Sequence, residues 1–322
     1  MKKILLTSLS ALFLAVCSCD NGGAVAGAVS EDLDETEVNE VLMTVLPMEE
    51  ESSDSRLATS EQFQFTWELN DTIGIFPAKG GQVEFPIKPE NVGTSSAKFD
   101  GGGWALKSSH RYSAYYPFNF FNRDATKVSL TYLGQKQNGT GAQARAHLSD
   151  YVCLACAPTT VVNGFVNFSL SHVGSILKLT LTLPEATTYT SLSVFTGAKV
   201  LPVRKTINLQ DTDVAETVTE WSDRVKLDLE NITTTGANQE VVFWMAFPSV
   251  DASSHALQVV IYDENGRPYV GNVLQESGEQ AKADFWRNYY QRRFASPVLT
   301  EGFLFGMEGW GSDGTDHGGS VN

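Results

Sequence analysis

The sequence predicts an all-β chain in which short strands of period two pack into sandwiches or barrels. Three observations carry that prediction. Apolar and polar residues alternate through several runs, turn residues separate those runs at short intervals, and no stretch keeps a helical period beyond a few turns. The clearest run is 63–76, where Phe63, Phe65, Trp67 and Leu69 alternate with Gln64, Thr66 and Glu68. Asn70-Asp71 breaks it and Ile73 and Ile75 resume it, which predicts two half-buried strands joined by a tight turn. At 322 residues two cores are expected, and 42% hydrophobic content supplies both.

The chain begins with Lys2-Lys3 and an apolar run over 4–16, the arrangement of a secretory signal. Val16-Cys17-Ser18-Cys19 is similar to a bacterial lipoprotein box, with Ser18 as the small residue before the cut and Cys19 receiving the lipid. Cys17 is the runner-up, with β-branched Val16 before the cut; an ordinary signal with two incidental cysteines is the other alternative. Residues 1–18 thus read as a lipoprotein signal peptide and 19–35 as a flexible tether rich in Gly and Ala. No later run reaches the ~20 apolar residues of a membrane span, so attachment is expected through lipid.

An isolated apolar stretch, Val41, Leu42, Met43, Thr44, Val45 and Leu46, stands between acidic flanks. Val41, Met43 and Val45 can face a core while Leu42 and Leu46 cover the other side, the pattern of a strand docking on a sheet edge. The polar loop that follows carries Arg56, the only basic residue between Lys3 and Lys79. Such a loop is a natural protease target.

Short strands are predicted at 82–87, 97–99, 104–107 and 111–116. The aromatic run 112–121 reads as packed core before it reads as a sugar-stacking platform. A polar loop is expected at 135–141, then a pair of strong strand signals over 165–183, closed by Pro184. The boundary is placed there, giving an N-terminal sandwich over 36–183 and a C-terminal one over 184–322. The second half repeats the pattern at 191–195, 224–229, 241–247 and 256–262, with a hairpin at Asn265-Gly266. A helical turn is entertained at 281–293, and a last strand at 298–305 precedes a polar tail.

No set of residues announces catalysis. The five histidines never form a ligand-spaced pair, and G-x-S-x-G, P-loop and H-E-x-x-H signatures are missing. Gly139-Thr-Gly141 sits in a polar loop without the strand-turn-helix unit that nucleotide binding needs. Cys153 and Cys156, three apart, point to opposite faces of a strand and read as core thiols, with a local disulfide as the alternative. His172 reads as a core histidine. No metal, cofactor or enzymatic activity is expected. A net charge of -15 repels phosphate backbones, which excludes nucleic-acid binding.

Four elements together resemble the fimbrillin-like family of Bacteroidetes, the type V pilus subunits and Mfa-like surface lipoproteins. Trp67-Glu-Leu-Asn-Asp71-Thr-Ile73-Gly74-Ile75-Phe76 resembles its opening W…D-x-IGVF motif, and Tyr112-Ser-Ala-Tyr115-Tyr116-Pro117 its YYAYYP strand. Phe168-Ser-Leu-Ser-His172 with Leu177 resembles its F-x-H-x-L pair; Phe247-Pro248, Asn265-Gly266 and Asn288-Tyr289-Tyr290 are similar to its second domain. The resemblance implies tandem transthyretin-like β-sandwiches, a lipoprotein of the outer membrane and cell surface, and a role in adhesion or fimbria assembly. It further implies cleavage between Arg56 and Leu57, where Leu57 stands in place of the family's small residue, with 41–46 as the released strand. The partners implied are other pilin subunits joined by β-strand addition. Phe303, Phe305 and Met307 alternate on one face and mark a possible donor strand. The alternative reading is a monomeric surface lipoprotein that binds a glycan or a host or bacterial surface protein.

Overall fold

The computed structural model describes residues 37–47, 49–50, 65–275, 278–285, 289–296 and 299–301, with backbone alone at 49–50, 289–296 and 300–301. Strands dominate; the described helix is a single α turn, Leu148–Tyr151, with 3-10 turns at Pro89–Asn91 and Gly141–Arg145. The fold is all-β.

The first large sheet runs in the order Val83–Pro86, Thr72–Pro77, Arg111–Tyr116, Leu154–Thr160, Asn167–His172, Glu40–Val45, Ser96–Asp100. A bridge between Ile87 and Phe99 draws its two ends together around an apolar interior. Trp67, Ile73, Ile75, Phe85, Phe99 and Phe168 fill that interior and are fully buried. The middle strands are buried on their outer faces too. There Phe76, Tyr115, Cys153 and Ala155 pack with Val128, Leu130, Ile207 and Leu209, the last four on or beside a three-stranded sheet of Glu216–Ser222, Leu201–Ile207 and Val128–Thr131. Two-sided burial is why the Thr72–Pro77 strand reads as a nearly continuous apolar run. Gly74 belongs to the same packing: a Cβ there would lie 2.2 Å from the Tyr115 ring.

The chain changes sheets at Val173-Gly174. Asn167–His172 pairs with Leu154–Thr160 and Glu40–Val45, whereas Ser175–Leu183 pairs with Gln239–Phe247 and Tyr289–Ser296 from the second half. Only glycine fits the crossing, because a Cβ on Gly174 would lie 2.9 Å from the Phe247 carbonyl oxygen and 2.5 Å from the Tyr132 hydroxyl. The strand before Pro184 thus shares its hydrogen bonds with the second half of the chain. A six-stranded sheet faces this group, in the order Gln135–Asn138, Arg224–Thr233, Thr188–Phe195, Gln258–Asp263, Pro268–Asn272, Thr300–Glu301. The Asn265-Gly266 hairpin is present in it, with Gly266 at φ 76°.

Two glutamines join these last sheets. Gln135 and Gln137 have no exposed surface, and their amides bond to the outer edge of the Gln239–Phe247 strand. Gln135 Nε2 donates to the Ala246 and Tyr132 carbonyls, both at 2.8 Å, and its Oε1 accepts from Ala246 N at 2.7 Å. Gln137 Oε1 accepts from Trp244 N at 2.9 Å while its Nε2 donates to Val242 O at 3.2 Å. Two side chains do the work of a missing strand.

Three sequence expectations change. Residues 65–69 form no strand: Trp67 exchanges backbone hydrogen bonds with Thr94 and Gly93, and Leu69 is largely exposed. Asn70, at φ 75°, and the Asp71 carboxylate, which accepts from Glu68 N at 2.7 Å, hold the turn that ends the run. The hairpin partner of Thr72–Pro77 is instead Val83–Pro86. The expected loop at 135–141 begins as a strand, buried at Gln135 and Gln137 only, that runs parallel to Arg224–Thr233. The entertained helical turn at 281–293 is replaced by strands Lys282–Phe285 and Tyr289–Ser296.

Replacing Gln135 by leucine strands the Ala246 N–H and C=O in a dry interior, so a loss of about 2–4 kcal/mol is expected. Urea denaturation with an unchanged m-value measures it, and a loss below ~1 kcal/mol would refute the role given to this amide. Acid stability gives a second check. Burial holds His172 near pKa 3 against an ordinary 6.5, so above pH ~6.5 it contributes no slope. Between pH ~6.5 and 3 the unfolded chain takes up a proton that the native chain refuses, and stability falls as pH falls. Burial lowers His147 in the same sense, while the raised Asp71 carboxyl opposes the trend. The slope of unfolding free energy against pH should flatten in His172→Phe; an identical slope counts against the assignment.

Candidate functional site

The apolar stretch that the sequence isolates forms the strand Glu40–Val45, and its alternation matches the pleat. Val41, Met43 and Val45 are buried in the core, Leu42 and Thr44 are half-buried, and Leu46 is exposed just beyond the ladder. The expectation of an edge strand is corrected. Glu40–Val45 runs parallel to Asn167–Leu170 on one side and antiparallel to Ser96–Asp100 on the other, so both of its backbone edges are paired. Leu42 N donates to Val166 O at 3.1 Å, and Leu46 N to Leu170 O at 2.8 Å; on the other side Val45 N donates to Ser95 O at 3.0 Å. The first described long strand of the chain therefore fills a slot between strands that come much later in sequence.

Polar groups fix its register at both ends. Glu40 hydrogen-bonds to Lys88 Nζ, and its other carboxylate oxygen lies 3.5 Å from Lys98 Nζ. Lys88 also lies 3.9 Å from the Asp100 carboxylate. The hydrogen bond to Lys88 lowers the Glu40 pKa below its usual range and raises that of Lys88. At the other end Thr44 Oγ1 lies 3.0 Å from Ser96 Oγ and 3.4 Å from Asn167 Oδ1. None of these partners was singled out from sequence. Lys98 and Ser96 flank the apolar Ala97 on an alternating strand, which signals an exposed face but not what it meets.

Cys19, Arg56, Leu57, Phe303, Phe305 and Met307 lie outside the described residues. Among the described residues no cluster of His, Cys, Asp and Glu is arranged to hold a metal ion. Cys153, just before the strand Leu154–Thr160, and Cys156, within it, are buried in two separate apolar clusters. Burial pushes the Cys156 thiol up to about 11, away from nucleophilic use. In the aromatic run, Tyr112, Tyr115 and Tyr116 are core, while Phe120 and Phe121 are 60% and 85% exposed with Arg123 stacked 4.0 Å from the Phe120 ring.

No protein-family model and no curated protein matches the chain. Its structural neighbours are fimbrial and cell adhesion proteins of Bacteroidetes. A candidate cell adhesion protein from Bacteroides ovatus ATCC 8483 is similar at 13% identity over 81% of this chain and 93% of that one, with a TM-score of 0.47. A second, from Bacteroides uniformis ATCC 8492, gives 15% identity over 67% and 84%, with a TM-score of 0.45. The fimbrial anchor protein Mfa2 from Porphyromonas gingivalis gives 9% identity over 71% and 79%, with a TM-score of 0.32. Scores below 0.5 decide neither family nor function.

Met43 has no exposed surface, so Met43→Ala is expected to destabilise the intact chain by about 2–5 kcal/mol. Thermal or urea denaturation reads this directly, and a loss under ~1 kcal/mol would mean that the strand is only loosely seated.

Proposed function

We propose that the chain is a fimbrillin-like pilus subunit or minor pilus component that assembles by strand exchange and serves adhesion at the cell surface. One observation carries the reading: the strand Glu40–Val45 occupies an interior slot of the sheet. Ten residues separate its end from Arg56, the residue that the family resemblance makes a cleavage site. Departure of this strand would expose unpaired backbone on both Asn167–His172 and Ser96–Asp100 together with the apolar seats of Val41, Met43 and Val45. Such a slot accepts another extended strand, with main-chain hydrogen bonds supplying affinity and alternate side chains supplying register. Lipid on Cys19 would hold the precursor at the outer membrane. This is a binding and assembly role, without catalysis.

The second reading, a monomeric surface lipoprotein that binds a glycan or another protein, is favoured by the exposed Phe120 and Phe121. The N-terminus of the mature protein separates the two. Mass spectrometry of native surface material is expected to find chains that begin at Leu57. Acylated Cys19 still joined to residues 41–46 in all the material would count against strand exchange and favour the free-standing binder.

A further inference from the structure

The loop after Arg111–Tyr116 carries two aromatic side chains that the fold directs outward. Tyr115 Oη donates to Gln82 Oε1 at 2.6 Å, Gln82 Nε2 donates to Asn119 O at 2.8 Å, and Phe121 N donates to Asn119 Oδ1 at 2.9 Å. The buried Asn122 accepts from Ser129 N at 3.0 Å. With its backbone held on both sides, the loop presents Phe120 and Phe121 already ordered, and little freedom remains to be lost when a partner arrives. Their rings cross at 78° with centroids 6.0 Å apart, and Arg123 covers a face of Phe120. Such a pair offers no flat platform to a sugar ring. It is a knob with a cation at its side, the composition of a protein-contact hot spot.

The same chain carries a dent suited to that knob. It measures about 320 Å³, with Val214, Ala215, Val250 and Phe285 as apolar lining and the carboxylates of Asp213 and Asp251 beside them. Glu216, also at the dent, is taken by Lys205. Asp251 has no ion-pair partner among the described residues, and neither has Arg123. Val214 is strained: it is a β-branched residue at φ 48°, whereas every other described non-glycine residue at positive φ is an asparagine. Strain of this kind persists only where the surroundings hold it, and it gathers at functional contacts. Phe121 is 85% exposed, so the dent of its own chain does not receive it. We infer that the Phe120-Phe121 knob of one copy seats in this dent on a second copy, with Arg123 against Asp251 and Asp213. Chains that each carry a net charge of -15 repel one another, and an arginine without an acid, facing carboxylates beside an apolar dent, supplies the local attraction that lets two of them meet here. The contact uses neither the slot of Glu40–Val45 nor a cut at Arg56, so it stands apart from strand exchange. Knob and dent are different surfaces, so two copies either trade both across a twofold axis or continue as a chain.

The test follows the uncut full chain, its intact mass verified, by analytical ultracentrifugation. The parent chain is expected to self-associate, and Phe121→Ser and Ala215→Arg are each expected to weaken that association about tenfold or more while leaving the denaturation midpoint unchanged. One variant lacks the knob and the other the dent, so an equimolar mixture recovers association, and only between unlike chains. If Ala215→Arg shifts the midpoint, Asp251→Arg serves as the dent variant; combined with Arg123→Glu in one chain it restores the association that either change alone removes. A parent chain that stays monomeric up to about 1 mM, or a mixture of variants that recovers nothing, would overturn the inference. Association that no variant weakens would overturn it as well and would pass to another face of the molecule. Glycan binding that Phe121→Ser abolishes, in a chain that never self-associates, would return the knob to the free-standing binder.

Discussion

A buried sheet tolerates no unpaired backbone edge, and most of this architecture follows from that constraint. An N–H or C=O removed from water without a partner costs about as much as a hydrogen bond contributes, so every long interior edge needs an occupant. Here the slot between Asn167–His172 and Ser96–Asp100 is filled by Glu40–Val45, a segment drawn from far away in sequence. The edge of Gln239–Phe247 is filled by the amides of Gln135 and Gln137. The two solutions differ in permanence. Side-chain amides on a strand paired along its length with Arg224–Thr233 are held by that ladder and by the chain on both sides, whereas under the proposed cut at Arg56 Glu40–Val45 would be held by its own contacts alone.

The same constraint explains how the sheets are tied to one another. At Val173-Gly174 the chain passes from one sheet to the next without a helix or a long loop. Glycine makes that possible by letting the Phe247 carbonyl and the Tyr132 ring approach the backbone. Nearby, the fully buried Lys205 ammonium meets the Glu216 carboxylate at 2.6 Å and Ser249 Oγ at 3.0 Å, and Ser249 Oγ donates to Val173 O at 3.2 Å. A buried ion pair adds little net stability over an apolar pair of the same shape, but removing one partner leaves a charge in a dry site. The pair lies within the three-stranded sheet, and the hydrogen bonds through Ser249 tie that sheet to the crossing at Val173, with the apolar cluster of Phe76, Tyr115, Val128 and Ile207 in the same region.

Much of the fold was legible because alternation and turn chemistry are local. The inward set of Val41, Met43 and Val45 follows from a period of two, and the Asn265-Gly266 hairpin from turn chemistry. What failed was equally physical. Residues 65–69 alternate without joining a ladder, because alternation records which side chains are buried and not which backbone they meet. Gln135–Asn138 reads as a loop because buried glutamines are rare, and their burial is sustained by an edge more than a hundred residues away. For the same reason Lys88, Ser96, Lys98 and Asn167 could not be foreseen around Glu40 and Thr44. Convergence of distant side chains leaves no trace in spacing, so the strand was readable and its address was not.

The energetics of the seated strand bear on how exchange could proceed. Burying Val41, Met43 and Val45 contributes about 1.5–3 kcal/mol each, and the ladders on both sides add to this. The sum approaches the whole net stability of an ordinary domain, about 5–15 kcal/mol. Under the proposal, a cut after Arg56 would remove the covalent tether while the pairings of Glu40–Val45 still hold it in place. Emptying the slot spontaneously would expose two unpaired edges and an apolar trough at once. A guest that invades from one end replaces hydrogen bonds and apolar contacts pair by pair and never faces that full cost. In the proposed mechanism cleavage would thus make the strand replaceable rather than absent, and an arriving strand, not the protease, would supply the free energy that drives it out.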